Sequence, residues 1–269
     1  MSMSPERKRF LRTDGGLMRL DVLNPVAFPA ELLRAADRII NCRRESLSSI
    51  LVNDTNEATE VLEQSLFASN DLFYKPLTDE LARHEIILNH VTRVLDPNSI
   101  YKDGLQTNSW ERYSCRISNT LLSVGLSEDR VHNALVCIKE YYDTKYACQV
   151  PQNCFYAGNL LFPSEDRDIS YDIFGACIGG ELAAGCLEDK MPDVYEALCN
   201  NGTSVNVKCA VPFNDIINIH RNKVAFQFLR YYAAKSFWGI KYEIEFDCVT
   251  ETDVPPDRIL EIVPFIYVP

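Results

Sequence analysis

The spacing of apolar residues changes along this chain, and that change limits the fold more than any other feature. In the first half apolar positions recur every three or four residues, the repeat of an α-helix buried on one face. A helix is expected from Ala30 to about Val52, entered through Phe28-Pro29. Within it Leu33, Ala36, Ile40, Leu47 and Ile50 are spaced three, four, seven and three apart, a heptad seam with Arg43 at one seam position. Asn53-Asp54-Thr55-Asn56 caps or interrupts it, and Ala58, Val61, Leu62 and Leu66 resume the pattern until Pro76 breaks it. A third helix is read from Leu77, Leu81, His84, Leu88, Val91 and Leu95, stopped by Asp96-Pro97-Asn98. After a loop over 98–109, Trp110, Tyr113, Ile117 and Leu121 continue the helical repeat, and Ser127 caps a further helix carrying Val131, Leu135 and Ile138.

From about Cys148 the repeat falls to two. Ile169, Tyr171 and Ile173 alternate with polar residues, as do Val205, Val207, Cys209 and Val211. Ile240, Tyr242, Ile244, Phe246 and Cys248 alternate with Lys241, Glu243, Glu245 and Asp247. One apolar and one charged face is the signature of a half-exposed antiparallel strand. Residues 259–268 form a last strand, in which Pro264 indicates an edge or a bulge. Helices are expected over 192–200, ended by Asn201-Gly202, and over 214–234. The fold class is therefore α+β. A helical bundle or coiled-coil region over 1–147, a candidate for oligomerisation, precedes a mainly antiparallel β region over 148–269 with inserted helices, a candidate for receptor binding. The seam itself permits two uses: packing inside one chain, or joining copies of it.

Charge narrows the partners. A formal net charge of −11 disfavours sequence-independent nucleic-acid binding, because phosphate backbones repel an acidic chain. Only Arg7, Lys8, Arg9 and Arg12 make a basic stretch, read as a mobile arm. No apolar run is long enough to span a bilayer, so no membrane insertion is expected. The first residues lack the apolar stretch of a secretion signal, which implies synthesis in the cytosol, with Asn53 and Asn201 unglycosylated. The ten cysteines are scattered, with no C-x-x-C pair, and read as reduced, mostly buried small hydrophobes.

Catalytic patterns are wanting. Gly175-Ala176-Cys177-Ile178-Gly179-Gly180 matches no phosphate-binding motif and reads as a bulge or tight crossing. His84 and His90, six apart, diverge by about 120° on a helix and cannot share a metal, and His84 reads as a packed core residue. Cys137 and His132 fall on different faces of one expected helix. Ser164-Glu165-Asp166-Arg167-Asp168 reads as a solvated acidic loop. No catalytic, cofactor-binding or metal-ligating residue is assigned, and the chain is expected not to be an enzyme.

Tyr156-Ala157-Gly158-Asn159-Leu160-Leu161-Phe162-Pro163 is followed by the alternating Ile169–Ile173. Then come Cys209-Ala210-Val211-Pro212, a helix, Gly239-Ile240-Lys241-Tyr242 and finally Tyr267-Val268-Pro269. This order resembles the outer-coat, cell-attachment proteins of seadornaviruses, the Banna virus group of twelve-segment double-stranded RNA viruses. The resemblance implies a homotrimer joined partly by an N-terminal coiled coil. It implies display on the virion surface beside other coat proteins, binding to a host-cell receptor, and no cofactor. No residue of a receptor site transfers with it. Two other readings compete: a jelly-roll capsid shell subunit, which needs eight strands in two sheets, and an enzyme whose site has no recognised motif.

Overall fold

The structure, a computed structural model, describes residues 18–66, 71–147, 150–158 and 175–265. In chain order the elements are β1 (Met18–Leu20), α1 (Ala30–Asn41), α2 (Arg44–Ser48), α3 (Thr55–Leu66), α4 (Asp71–Leu81), β2 (His84–Val94) and α5 (Asn98–Asp103). They continue with α6 (Trp110–Ser123), α7 (Glu128–Lys145), β3 (Asn153–Ala157), α8 (Gly180–Lys190), α9 (Pro192–Asn200), β4 (Thr203–Pro212), α10 (Asn218–Trp238), β5 (Phe246–Thr250) and β6 (Ile259–Pro264). Mixed helix and sheet place the chain in the α+β class.

Strand order in the six-stranded sheet is β5-β3-β2-β4-β6, with β1 parallel to the start of β2. β4 and β6 are antiparallel, with a register shift between Lys208 and Cys209, and Pro264 sits in the edge strand as its missing N–H requires. The expected strand at 205–211 is therefore present.

β2 corrects the sequence reading. The third helix was expected to run to Leu95, but the helix ends at Leu81 and residues 84–94 are a strand. His84 through Asn89 are buried without a break, so no alternation betrays them as strand. A short buried apolar run has no period of its own, and the β-branched residues Ile86, Ile87, Val91, Thr92 and Val94 decide for a strand. Helices first and strands second is thus too simple, since β1 and β2 lie in the first half.

The chain divides into two compact units that interleave along the sequence, so neither coincides with 1–147 or 148–269. Unit 1 takes Met1–Leu88, Tyr156–Asn159 and Ala210–Val249. Unit 2 takes Asn89–Phe155, Leu160–Cys209 and Thr250–Pro269.

In unit 1, α10 is the central helix. Val224, Ala225, Phe228, Leu229, Ala233 and Ala234 are all buried, and the helix packs against α1, α3 and α4. Gly239 in the left-handed region ends it. α1 buries Leu32, Ala35, Ala36, Ile39 and Ile40 against α4 and α10. Phe28 sets its ring 5.1 Å from that of Phe228. The heptad seam is consumed here: Ala36, Ile40 and Leu47 are 3%, 0% and 0% exposed within the single chain, and Leu33 and Ile50 are half-buried. The helix breaks at Cys42 and Arg43, so no continuous coiled coil is presented to another copy. Further on, Tyr242, Ile244, Phe246 and Cys248 are buried and their alternates exposed, as expected, but ladder pairing begins only at Phe246.

In unit 2, α6, α7, α8 and α9 enclose a core of Tyr113, Ile117, Leu121, Val131, Ala134, Ile138, Leu182, Leu187, Val194 and Leu198. Ser127 caps α7 by accepting from the Arg130 N–H. The expected strand at 169–173, the acidic 164–168 segment and the basic arm at 7–12 lie outside the described residues.

β1 is held to β2 by Arg19, whose Nε donates to Glu85 Oε2 at 3.0 Å with both side chains largely covered. Removing one partner of a covered pair strands the other charge. Arg19→Met is expected to destabilise the chain by about 3 kcal/mol, and Arg19→Met with Glu85→Gln to recover most of it. Urea unfolding of both variants checks this, and equal losses would contradict it.

Candidate functional site

Unit 2 contains a cavity of about 210 Å³. β2 supplies His90 and Arg93, α5 supplies Asp103, the following loop supplies Gln106 and Asn108, and α6 supplies Arg116. Lys145 and Tyr146 come from the end of α7, Gln152 to Cys154 from the start of β3, and Gly179 to Leu182 from the start of α8.

Glycines shape two of its walls. Gly104 has φ +74°, and a Cβ there would lie 2.1 Å from the Val254 carbonyl oxygen. The Leu105–Val254 bridge holds that segment in place. Gly179, at φ +98°, opens α8 without a side-chain cap. Its carbonyl accepts from Tyr113 Oη at 3.1 Å, and a Cβ would come within 2.7 Å of the same hydroxyl. The glycine-rich stretch therefore opens a helix, a use that motif matching does not reveal.

His90 Nδ1 lies 2.8 Å from the Cys154 carbonyl oxygen, which only accepts, so Nδ1 carries the proton and Nε2 is an acceptor. Burial lowers the His90 pKa, the bond to Cys154 opposes that, and the positive charge of Arg116 lowers it again. Arg116 Nη2 donates to Asn108 Oδ1 at 2.9 Å, and its guanidinium stands 5.6 Å from the Tyr113 ring centre. Burial also lowers the Arg116 pKa. Yet Arg116 is solvent-accessible and His90 partly so. Both side chains line the cavity. Lys145 pairs with Glu181. Arg93 is spent on the carbonyls of Asn201, at 2.8 Å, and Gly175, at 3.4 Å.

His84 and His90 share β2 and not a helix, about 20 Å apart along an extended strand. His84 is 8% exposed and its Nε2 lies 3.3 Å from Glu80 Oε1. Cys137 Sγ donates to the Cys186 carbonyl at 3.6 Å, on α7 as His132 is. Cys199 is drawn down to about 7 by its hydrogen bond with Cys177. None of the nine described cysteines is in a disulfide; five are buried, and Cys42, Cys115 and Cys154 are exposed. Among the described residues no group of three or more His, Cys, Asp or Glu side chains is placed to hold a metal ion. Nor is any described helix long and apolar enough to cross a membrane.

Sequence reasoning missed Arg116. Its signal is a guanidinium one turn beyond Tyr113 and beside Ile117, on the margin of the face that α6 buries. No protein-family model, curated protein or solved structure matches the chain.

Because His90 binds its proton less readily when folded, the unfolded chain takes up the proton first as pH falls. The stability it contributes is complete above pH 6.5 and is lost as pH drops through the lower, folded value. His90→Asn is therefore expected to flatten the fall in melting temperature between about pH 7 and pH 5. Parallel curves for the two proteins would contradict the assignment.

Proposed function

We propose that the chain is a non-enzymatic outer-coat protein that attaches a virion to a host-cell receptor and acts as a homotrimer among other coat proteins. The reading rests on the seadornavirus resemblance. Of the segments that carry it, Tyr156 and Ala157 lie in β3, Cys209 to Pro212 in β4 and Gly239 at the end of α10, while residues 159–163, 169–173 and 267–269 lie outside the described residues.

Assembly must use a surface other than the heptad seam, whose central residues are sealed within unit 1. The observation that carries the self-association is what unit 1 leaves outside. Leu51 is 92% exposed, Val26 84% and Leu23 53%, all within or just before the N-terminal helical segment. Aliphatic side chains of this size gain free energy by leaving water, at roughly 25 cal/mol per Å² buried. Contacts between copies are the proposed means, and three copies would then multiply weak receptor contacts. The jelly-roll alternative is not carried forward, because the described strands form one six-stranded sheet where that fold needs two.

Light scattering at micromolar concentration is expected to return three times the 30.7 kDa chain mass. Val26→Glu with Leu51→Glu should reduce this to one chain. Ile40→Ala, which empties a core position, should leave the assembly intact while costing about 2–5 kcal/mol of stability. A monomer in the unaltered protein, or a trimer indifferent to the double substitution, would overturn the reading.

A further inference from the structure

We infer that the unit 2 cavity is a binding site for a small sugar bearing one carboxylate. The inference holds whether or not the chain assembles as proposed above.

Size comes first. Ligand pockets for drug-sized molecules measure about 300–1,000 Å³, so a cavity of about 210 Å³ suits a single ring with its substituents. Charge comes second. Three basic side chains line the cavity, Arg93, Arg116 and Lys145, against two carboxylates, Asp103 and Glu181. The difference is one positive charge, with His90 neutral. That balance fits a monoanion and opposes a polyphosphate.

Arg116 is the group that receives it. One of its five N–H donors goes to Asn108, the Tyr113 ring lies beside its plane, and among the described residues it has no carboxylate partner. A guanidinium on the cavity wall without a carboxylate partner is open to one, and a carboxylate matches its fork with two parallel hydrogen bonds. The start of α8 lines the same cavity without a side-chain cap, and the N–H groups of a helix's first turn favour negative charge.

Hydroxyl recognition is built in as well. His90 offers Nε2 as an acceptor because Nδ1 is committed to Cys154. Gln106 and Gln152 add amide donors and acceptors, and Asp103 adds an acceptor on the opposite count of charge. A simple inorganic anion would use the guanidinium and leave these groups unmatched.

Ligand-observed saturation-transfer NMR and calorimetry on the full chain provide the test, with N-acetylneuraminic acid and glucuronic acid as probes and glucose and inorganic phosphate as comparators. At least one acidic sugar is expected to bind saturably at one site per chain, ahead of both comparators. Arg116→Gln should weaken it by roughly ten- to hundredfold, and Arg116→Lys should weaken it less. Gln106→Glu, at an exposed position on the cavity wall, keeps the test open if Arg116→Gln does not fold, and should abolish binding by adding a third carboxylate that cancels the cavity's net positive charge. Absence of saturable binding by either acidic sugar would overturn the inference. So would binding that these substitutions leave unchanged, or equal binding of glucose or phosphate.

Discussion

The burial of β2 is the constraint on which the other elements depend. Residues 84–89 are closed to solvent, and the strand has β1, β3 and β4 as neighbours in the sheet. A strand this apolar is stable only with its backbone groups paired on both sides, since an unpaired buried N–H or C=O costs as much as a lost hydrogen bond. Two of its polar residues are matched by neighbouring strands, whereas the buried His84 Nδ1 has no hydrogen-bond partner among the described residues. Glu85 meets Arg19, and the Asn89 carboxamide oxygen accepts from Asn206 Nδ2 at 3.0 Å. The strand then continues to His90 and Arg93, which carry two of the ionisable groups of the cavity. One buried strand therefore serves both the core and the candidate site.

Much of this was legible in the sequence, and the failures have physical causes. Helices with one buried face announced themselves: α6 and α7 lie where the three-and-four spacing and the Ser127 cap put them, and α1 begins at the expected Ala30 but ends at Asn41, short of Val52. β4 was legible at a period of two, and β6 as a final apolar run in which Pro264 correctly marks an edge. β2 was not, because its spacing of Leu88, Val91 and Leu95 imitates a heptad while complete burial erases the alternation. The seam was read correctly as apolar but incompletely as to partner. Heptad spacing says which residues are covered, and leaves open whether α4 and α10 of the same chain or another copy covers them.

The cavity was the least legible feature. Its residues come from β2, α5, α6, α7, β3 and α8, so no short motif contains them. Arg116 is one cation among many in the sequence, and only its position beside Tyr113 and Asn108 sets it apart. The same holds for Gly179, whose role as the start of α8 depends on the Tyr113 hydroxyl standing where a side chain would be. A local pattern records which face is apolar. It does not record which loops converge, and the candidate site lies where they do.

Carbon chemical shifts of residues 84–94 in solution test the account at its base. Extended-backbone shifts throughout, with the slowest amide exchange of the chain at Ile86 to Asn89, are the predicted result. Helical shifts running on from Leu81 to Leu95 would contradict it, and with it the sheet, the division into units and the cavity that β2 helps to line.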